Sequence, residues 1–131
     1  MRNPRLHCPL TSAVKAVSGK WKLYILSLMS DGEAKRYGEF KNTCEPITEK
    51  MLTSQLRELE RDGIISRKVY PEVPPRVEYS LTDLGRKLCV VFDVLYDWGI
   101  DYMKEMKPDE FYRFKKITAD LDNVVSKDAV E

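Results

Sequence analysis

The sequence predicts a mainly α-helical fold with one small antiparallel β-hairpin. Over most of the chain, apolar residues recur every three or four positions, the spacing of one face of a helix. One central stretch alternates with a period of two instead, and a proline-rich segment divides it into two strands. A chain of 131 residues has the length of one domain.

The chain begins with two short predicted helices. After a polar arm of about ten residues, Thr11 or Ser12 can cap a first helix that ends at Gly19. A second apolar stripe of helical spacing predicts a helix over Lys20–Ser30. The Asp31-Gly32 pair is a stop signal for this second helix.

The next two helices are predicted to form a helix-turn-helix. The first covers Tyr37–Thr43, with Tyr37 and Phe40 on one face. Thr48 is a good N-cap for the second, Glu49–Arg61, and Gly63 stands where a C-terminal glycine is expected. The apolar face of this second helix comprises Met51, Leu52, Leu56 and Leu59.

A predicted hairpin follows the helix-turn-helix. Residues 64–70 are rich in β-branched side chains, and residues 76–81 alternate apolar with polar. Between them, residues 71–75 contain three prolines and form a loop rather than a paired strand. Two strands in this place make a wing, so we predict a winged helix-turn-helix domain.

Thr82 is predicted to cap the longest helix, which runs to about Met106. Its apolar stripe is wider than one packing face needs, which favours a second copy of the chain as partner. We therefore predict a homodimer, and a domain over residues 8–106 with a partly helical extension over 107–131. The expected dimerisation residues are Leu88, Phe92, Leu95, Trp98 and Tyr102.

The composition argues against an enzyme and against a membrane protein. The three cysteines form no C-x-x-C pair and His7 is the only histidine, so we expect no metal, no cofactor and no catalytic residue. No glycine-rich phosphate loop and no apolar run of membrane-spanning length is present. A cytoplasmic protein is expected.

The charge is unevenly distributed although the net charge is only +1. Residues 1–81 have a balance of +4, and residues 82–131 a balance of −3. A basic first part beside an acidic end is compatible with a nucleic-acid surface on a scaffold with another role.

The helix Glu49–Arg61 presents a polar side opposite its apolar face. Its side chains suit phosphate and base-edge contacts in the DNA major groove, and the expected contacts are Lys50, Thr53, Ser54 and Arg57. An ordinary solvated helix face is the alternative. The preceding helix and the following wing favour DNA recognition.

Three cations flank the proline loop of the wing: Arg67, Lys68 and Arg76. They are expected to contact flanking phosphates or the minor groove, with Arg76 furthest from the core. The alternative is a hairpin with its usual outward polar side chains.

These motifs together resemble the HxlR-type, MarR-like winged helix-turn-helix transcriptional regulators of bacteria and archaea. The resemblance rests on Cys8-Pro9-Leu10, Gly19-Lys20-Trp21, residues 36–40, residues 51–63, residues 73–82 and Trp98-Gly99. It implies double-stranded DNA as ligand, the helix at 48–61 as recognition helix, and a homodimer held by the terminal helices. The turn before that helix departs from the pattern, because Glu45-Pro46-Ile47 stands where Pro-Gly-Ile is common.

In a subset of that family, a cysteine at the position of Cys8 senses oxidants or electrophiles. Arg5, a protonated His7 and the start of the first helix would favour the reactive thiolate. The alternative is that Cys8 only packs against the partner subunit. Cys44 and Cys89 are predicted to be core residues.

The sequence as a whole predicts a DNA-binding regulator, more usually a repressor, acting as a homodimer on a pseudo-palindromic operator. A small molecule or an electrophile is the expected effector. The alternative is a winged-helix module for protein contact without sequence-specific DNA binding. Such a module would show no steep salt dependence of DNA affinity.

Overall fold

The structure, a computed structural model, describes residues 8–44 and 46–129. This part of the chain forms six α-helices and one two-stranded antiparallel sheet, which confirms the predicted fold class. The elements are α1 Pro9–Val17, α2 Lys20–Leu28, α3 Tyr37–Thr43, α4 Glu49–Arg61, β1 Ile65–Tyr70, β2 Arg76–Leu81, α5 Asp83–Met106 and α6 Pro108–Asp128.

The chain divides into two compact units, one ending at Val90 and one beginning at Val91. The division therefore falls inside α5. The first unit contains the hydrophobic core, to which α2, α3, α4 and the hairpin all contribute. Its most completely buried side chains are Ile25, Leu26, Met29, Phe40, Ile47, Leu52, Leu56, Leu59 and Ile65.

Helix α1 begins earlier than the sequence predicted. Cys8 is its N-cap residue and Pro9 its first helical residue, so the expectation of a cap at Thr11 or Ser12 was wrong. The physical reason is that proline suits the first helical position, where its fixed φ fits and no N–H partner is needed. Gly19, at φ 109°, is the N-cap of α2 and adopts a conformation that side chains disfavour.

The bounds of α3 and α4 are those predicted from the sequence. Pro46 and Ile47 lie in the turn between them, where the Ile47 N–H donates to the Cys44 carbonyl at 2.9 Å. The Lys41 ammonium group donates to the Ile47 carbonyl. Within the described residues, the turn thus uses a lysine contact and no glycine.

Local signals fix both ends of α4. The Thr48 hydroxyl accepts from the Met51 N–H at 3.1 Å, as predicted for an N-cap. At the other end, Gly63 has φ 74° and donates to the Glu60 carbonyl at 3.0 Å. The Ile64 N–H donates to the Leu59 carbonyl at 3.0 Å, which completes a Schellman motif.

The hairpin has the predicted strands and an antiparallel register from Ile65↔Leu81 to Tyr70↔Arg76. Tyr79 and Leu81 are buried on its inner face. Lys35 adds an isolated bridge beside β2, because its backbone exchanges two 2.8 Å hydrogen bonds with Tyr79. The Lys35 ammonium group also lies 2.6 Å from Asp31, and this contact lowers the pKa of the Asp31 carboxyl group.

Helix α5 starts in close contact with the end of the α4 segment. The Thr82 hydroxyl accepts from the Gly85 N–H at 3.1 Å, the predicted N-cap contact, and donates to the Gly63 carbonyl at 2.6 Å. Gly85 is buried, and a Cβ atom there would lie only 2.2 Å from the Ile64 carbonyl oxygen. Only glycine therefore fits this position without backbone movement.

The second unit comprises the later part of α5 and all of α6. Helix α6 extends to Asp128, further than the apolar pattern of the extension indicated. Both helices expose apolar side chains, and Trp98 stacks on Tyr102 at 5.3 Å between ring centroids. No helix in the described part of the chain is long and apolar enough to cross a membrane.

Candidate nucleic-acid interface

Helix α4 separates its buried and exposed side chains cleanly. Leu52, Leu56 and Leu59 are fully buried, as predicted. Met51 was also expected in the core, but its side chain is 42% exposed, so this expectation was wrong. Its position precedes the buried stripe by one residue, about 100° around the helix. Of the predicted contact residues, Lys50, Ser54 and Arg57 are exposed and Thr53 is half-buried.

An open depression of about 640 Å³ runs along the outer face of α4. It brings together all four contact residues predicted on this helix. The residues that line it are Tyr37, Glu49, Lys50, Thr53, Ser54, Arg57, Glu58 and Arg61. The surface thus mixes hydroxyl groups, cations and carboxylates, the groups that can read donors and acceptors on base edges.

A second depression of about 350 Å³ connects α4 with the wing. Arg67 of β1 lines it together with Thr53 and Arg57. The remaining lining residues are Tyr37, Glu60 and Tyr79. One predicted wing cation is therefore adjacent to the predicted recognition helix.

The other two wing cations line neither depression. Lys68 is exposed, with its ammonium group 4.7 Å from the centre of the Tyr70 ring. Arg76 lies at the loop end of the hairpin, opposite Tyr70, but its side chain is only 35% exposed. The Arg76 guanidinium lies over the Tyr70 ring at 3.9 Å and within 3.4 Å of Glu72 and 3.7 Å of Glu78.

An ion pair between α2 and α4 was not predicted from the sequence. The Lys22 ammonium group of α2 lies 2.7 Å from a carboxylate oxygen of Glu58, and the Lys22 residue is only 5% exposed. This contact lowers the pKa of the Glu58 carboxyl group. The pair is separated by 36 positions in the sequence, so no helical spacing reveals it.

Tyr37 was also missed as a residue of this surface. It was expected to lie on the same face of α3 as Phe40; Phe40 is fully buried, whereas Tyr37 is half-buried. The Tyr37 hydroxyl donates to the Glu49 carbonyl at 3.2 Å and lies 3.5 Å from the Thr53 hydroxyl. The sequence contained one indication of this contact, because the hydroxyl group of a packed tyrosine usually finds a hydrogen-bond partner.

Cys8, the predicted sensor, is the half-buried N-cap residue of α1, and its thiol is free. Arg5 and His7, which were expected to favour its thiolate, lie outside the described residues. Cys44 is buried, as predicted, and burial raises the pKa of its thiol. Cys89 is half-buried. No cluster of metal-ligating side chains occurs among the described residues.

The predicted dimerisation residues lie along α5. Leu88 and Phe92 are half-buried, whereas Leu95, Trp98 and Tyr102 are exposed. Further exposed apolar residues on the same helix are Leu84, Val90, Val91, Val94, Tyr96 and Met106.

A helix-turn-helix with an exposed polar second helix and a two-stranded wing defines the class of winged-helix DNA-binding regulators. The family model of the HxlR-like helix-turn-helix matches residues 16–107. The chain belongs to this family and is a transcriptional regulator of the helix-turn-helix type. The matched family consists of regulators rather than enzymes.

Known relatives share this architecture. The chain is 50% identical over 95 residues to the HTH-type transcriptional regulator YdeP of Bacillus subtilis strain 168, covering 72% of this chain and 73% of YdeP. The redox regulator HypR in its reduced form is 44% identical with a TM-score of 0.71, over 77% of this chain and 99% of HypR. The reduced form of the transcriptional regulator YodB from B. subtilis is 34% identical with a TM-score of 0.66, over 79% of this chain and 98% of YodB.

Proposed function

We propose that the protein is a homodimeric repressor that places its two α4 helices in successive major grooves of a pseudo-palindromic operator. The observation that carries the proposal is the outer face of α4, which is polar, open to solvent and lined by Lys50, Thr53, Ser54 and Arg57. An α-helix fits the major groove, where each base pair displays a distinct pattern of donors and acceptors. Two half-sites about 10 base pairs apart would face the same side of the duplex.

The side chains divide into two roles under this proposal. Arg57 and Lys50 can donate to guanine edges, and the hydroxyl groups of Thr53 and Ser54 can serve bases or phosphates. Arg67 and Lys68 are assigned to backbone phosphates beside the reading site. Arg76 is assigned a weaker phosphate contact, because two carboxylates and an aromatic ring already surround its guanidinium.

The dimer is proposed to form through α5 and the N-terminal helix α1. The exposed apolar side chains of α5 would be covered by a second copy of the chain, which would fix the distance between the two α4 helices. An operator occupied this way beside a promoter would exclude the transcription machinery. Repression is therefore the mode proposed.

A DNA-binding titration tests the function. A labelled duplex from the region upstream of the protein's own gene is titrated by fluorescence anisotropy at several salt concentrations, against a scrambled duplex of equal length. Arg57→Ala is expected to reduce the discrimination between the two duplexes by about 1–3 kcal/mol. Lys116→Ala, which removes an exposed cation from α6, is the matched control and should leave that discrimination unchanged. Equal affinity of the wild-type protein for both duplexes would contradict a sequence-specific function at this DNA.

Cys8 is proposed to regulate this binding as an electrophile sensor. Cys8 lies at the N-terminus of α1 and is only half-buried, so a small reagent can reach its thiol. The similar regulator HypR is named a redox regulator. The sulfur would add to a ring carbon of a quinone, which breaks the S–H bond and forms a thioether, and the ring would become a hydroquinone with the thiol proton on one of its oxygens. Quinone treatment should lower operator affinity in the wild-type protein and leave Cys8→Ser unaffected. Equal losses in both proteins would exclude Cys8 as the sensor.

A further inference from the structure

We infer that Tyr37 is a positioning residue of the DNA-reading surface, whose hydroxyl group holds the first turns of α4 and orients Thr53 toward the bases. The inference rests on the proposed function and assigns a specificity role to a residue of the preceding helix. It depends on three features of the structure: the position of the Tyr37 hydroxyl group, its two polar neighbours, and its place between the surface depressions.

The hydroxyl group of Tyr37 connects α3 with the beginning of α4. It donates to the carbonyl oxygen of Glu49, the first helical residue of α4, at 3.2 Å. N-terminal residues of a recognition helix are those that approach base edges most closely. A contact that fixes this turn therefore acts on the part of α4 with the most demanding geometry.

The same hydroxyl group lies 3.5 Å from the Thr53 hydroxyl oxygen. Thr53 is half-buried, and among the predicted contact residues of α4 it is the one with a described side-chain hydrogen bond to another element. A threonine hydroxyl can rotate to donate or to accept. The Tyr37 hydroxyl donates its proton to the Glu49 carbonyl, so its lone pairs can accept a hydrogen bond from Thr53. The Thr53 hydroxyl then keeps its own lone pairs free to accept from DNA.

Tyr37 also borders both depressions that contain predicted DNA contacts. It lines the larger one along α4 and the smaller one between α4 and β1. Arg57 and Thr53 are the only predicted contact residues that share this double position in the described part of the chain. Tyr37 thus borders both the base-reading surface and the depression that contains Arg67.

Tyr37→Phe tests the inference, since it removes the hydroxyl group and keeps the ring that packs beside α4. We expect operator affinity to fall about fivefold, the effect of one lost hydrogen bond, with no change in affinity for a scrambled duplex or in the salt dependence of binding. Tyr24→Phe is the matched control, because Tyr24 is exposed on α2 and its ring lies beside Trp21, 5.8 Å between centroids. This control should bind the operator as the wild-type protein does.

A double-mutant cycle with Thr53→Val separates positioning from a direct contact. If Tyr37 acts in part through Thr53, the double variant should lose less discrimination than the sum of the two single variants. Additive losses, an unchanged Tyr37→Phe protein, or equal losses on operator and scrambled DNA would each overturn the inference. If Arg57→Ala loses discrimination while Tyr37→Phe does not, the inference fails and the proposed function stands. A wild-type protein without any discrimination would remove both.

Discussion

Lys22 of α2 contacts α4 with an ammonium group whose residue is almost completely buried. Its partner Glu58 is partly solvent-accessible, with a side chain 36% exposed, so the two ends of the pair differ in hydration. A buried ammonium group without a partner is costly, whereas an apolar side chain of similar length at the same site costs little. The two members of the pair are therefore expected to respond differently to substitution.

Removing the carboxylate should destabilise the protein more than removing the cation. Glu58→Gln leaves the Lys22 ammonium group without its counterion, and we expect the free energy of unfolding to fall by about 1–3 kcal/mol. Lys22→Met removes the buried charge itself and should change the free energy of unfolding by less than about 1 kcal/mol. Urea denaturation at neutral pH measures both. A larger loss for Lys22→Met than for Glu58→Gln would contradict this account.

The same pair predicts a pH dependence of stability. Because Lys22 lowers the pKa of the Glu58 carboxyl group in the folded protein, the unfolded state binds more protons at acid pH. The stabilisation is fully present above the ordinary glutamate pKa of about 4.3 and is lost as the pH falls through the lower folded value. Urea titrations between neutral and acid pH should show a shallower decline for Glu58→Gln than for the wild-type protein. Identical declines would show that another carboxyl group dominates; Asp31 is a second carboxyl group whose pKa is lowered.

Single-residue contacts were the least predictable part of the candidate site. The outward direction of Lys50, Ser54 and Arg57 follows from helical periodicity alone. The partners of Lys22 and Tyr37 do not, because they come from other helices. Arg76 is an intermediate case: Tyr70 lies directly opposite it in the hairpin register, so counting the five-residue loop would have indicated the contact.

At the scale of elements, local signals determined what could be predicted. The limits of α4 were correct because Thr48 and Gly63 act within one helical turn. The start of α1 was wrong because Pro9 was interpreted as part of an arm, although proline is favoured at a first helical position. The packing of α5 against the segment after α4 could not be predicted, since it depends on a contact between Gly85 and Ile64.

The junction at Gly85 gives an element-scale prediction. A Cβ atom there would lie 2.2 Å from the Ile64 carbonyl oxygen and 3.1 Å from a Leu81 methyl group. Gly85→Ala should therefore force α5 away from the hairpin and lower the free energy of unfolding by about 1–3 kcal/mol. Gly38→Ala in α3 is the control, because a Cβ atom at that position would have no described neighbour within 4 Å and alanine favours a helix. Thermal unfolding followed by circular dichroism compares them, and equal melting temperatures would contradict the predicted clash.

At the scale of the whole molecule, the main feature is the apolar surface that α5 and α6 leave exposed. The described part of α6 has no fully buried residue, and α5 has only Gly85. Large exposed apolar areas are unusual for a monomer and mark interaction sites. The surplus of apolar residues on the longest helix was visible in the sequence, but the identity of its partner was not, because one chain contains no information on its contacts with a second copy.

Self-association through α5 is testable in solution. Leu95 is 51% exposed, so Leu95→Glu removes little from the core of the single chain and would place a charge in the proposed interface. We expect the wild-type protein to sediment as a dimer and this variant to shift toward the monomer. Asp97→Asn, an exposed position on the opposite side of the helix, is the control and should remain dimeric. A wild-type monomer at micromolar concentration would contradict the proposed dimer.

The separation of side chains on α4 has a practical consequence for protein engineering. Three buried leucines pack one side of the helix against the core. Lys50, Ser54 and Arg57 are exposed on the other side, and the structure describes no ion pair or hydrogen bond of these three side chains. Randomising these three positions should therefore leave the melting behaviour of the scaffold nearly intact. A library built in this way would let new target sequences be selected without redesigning the framework that holds the helix.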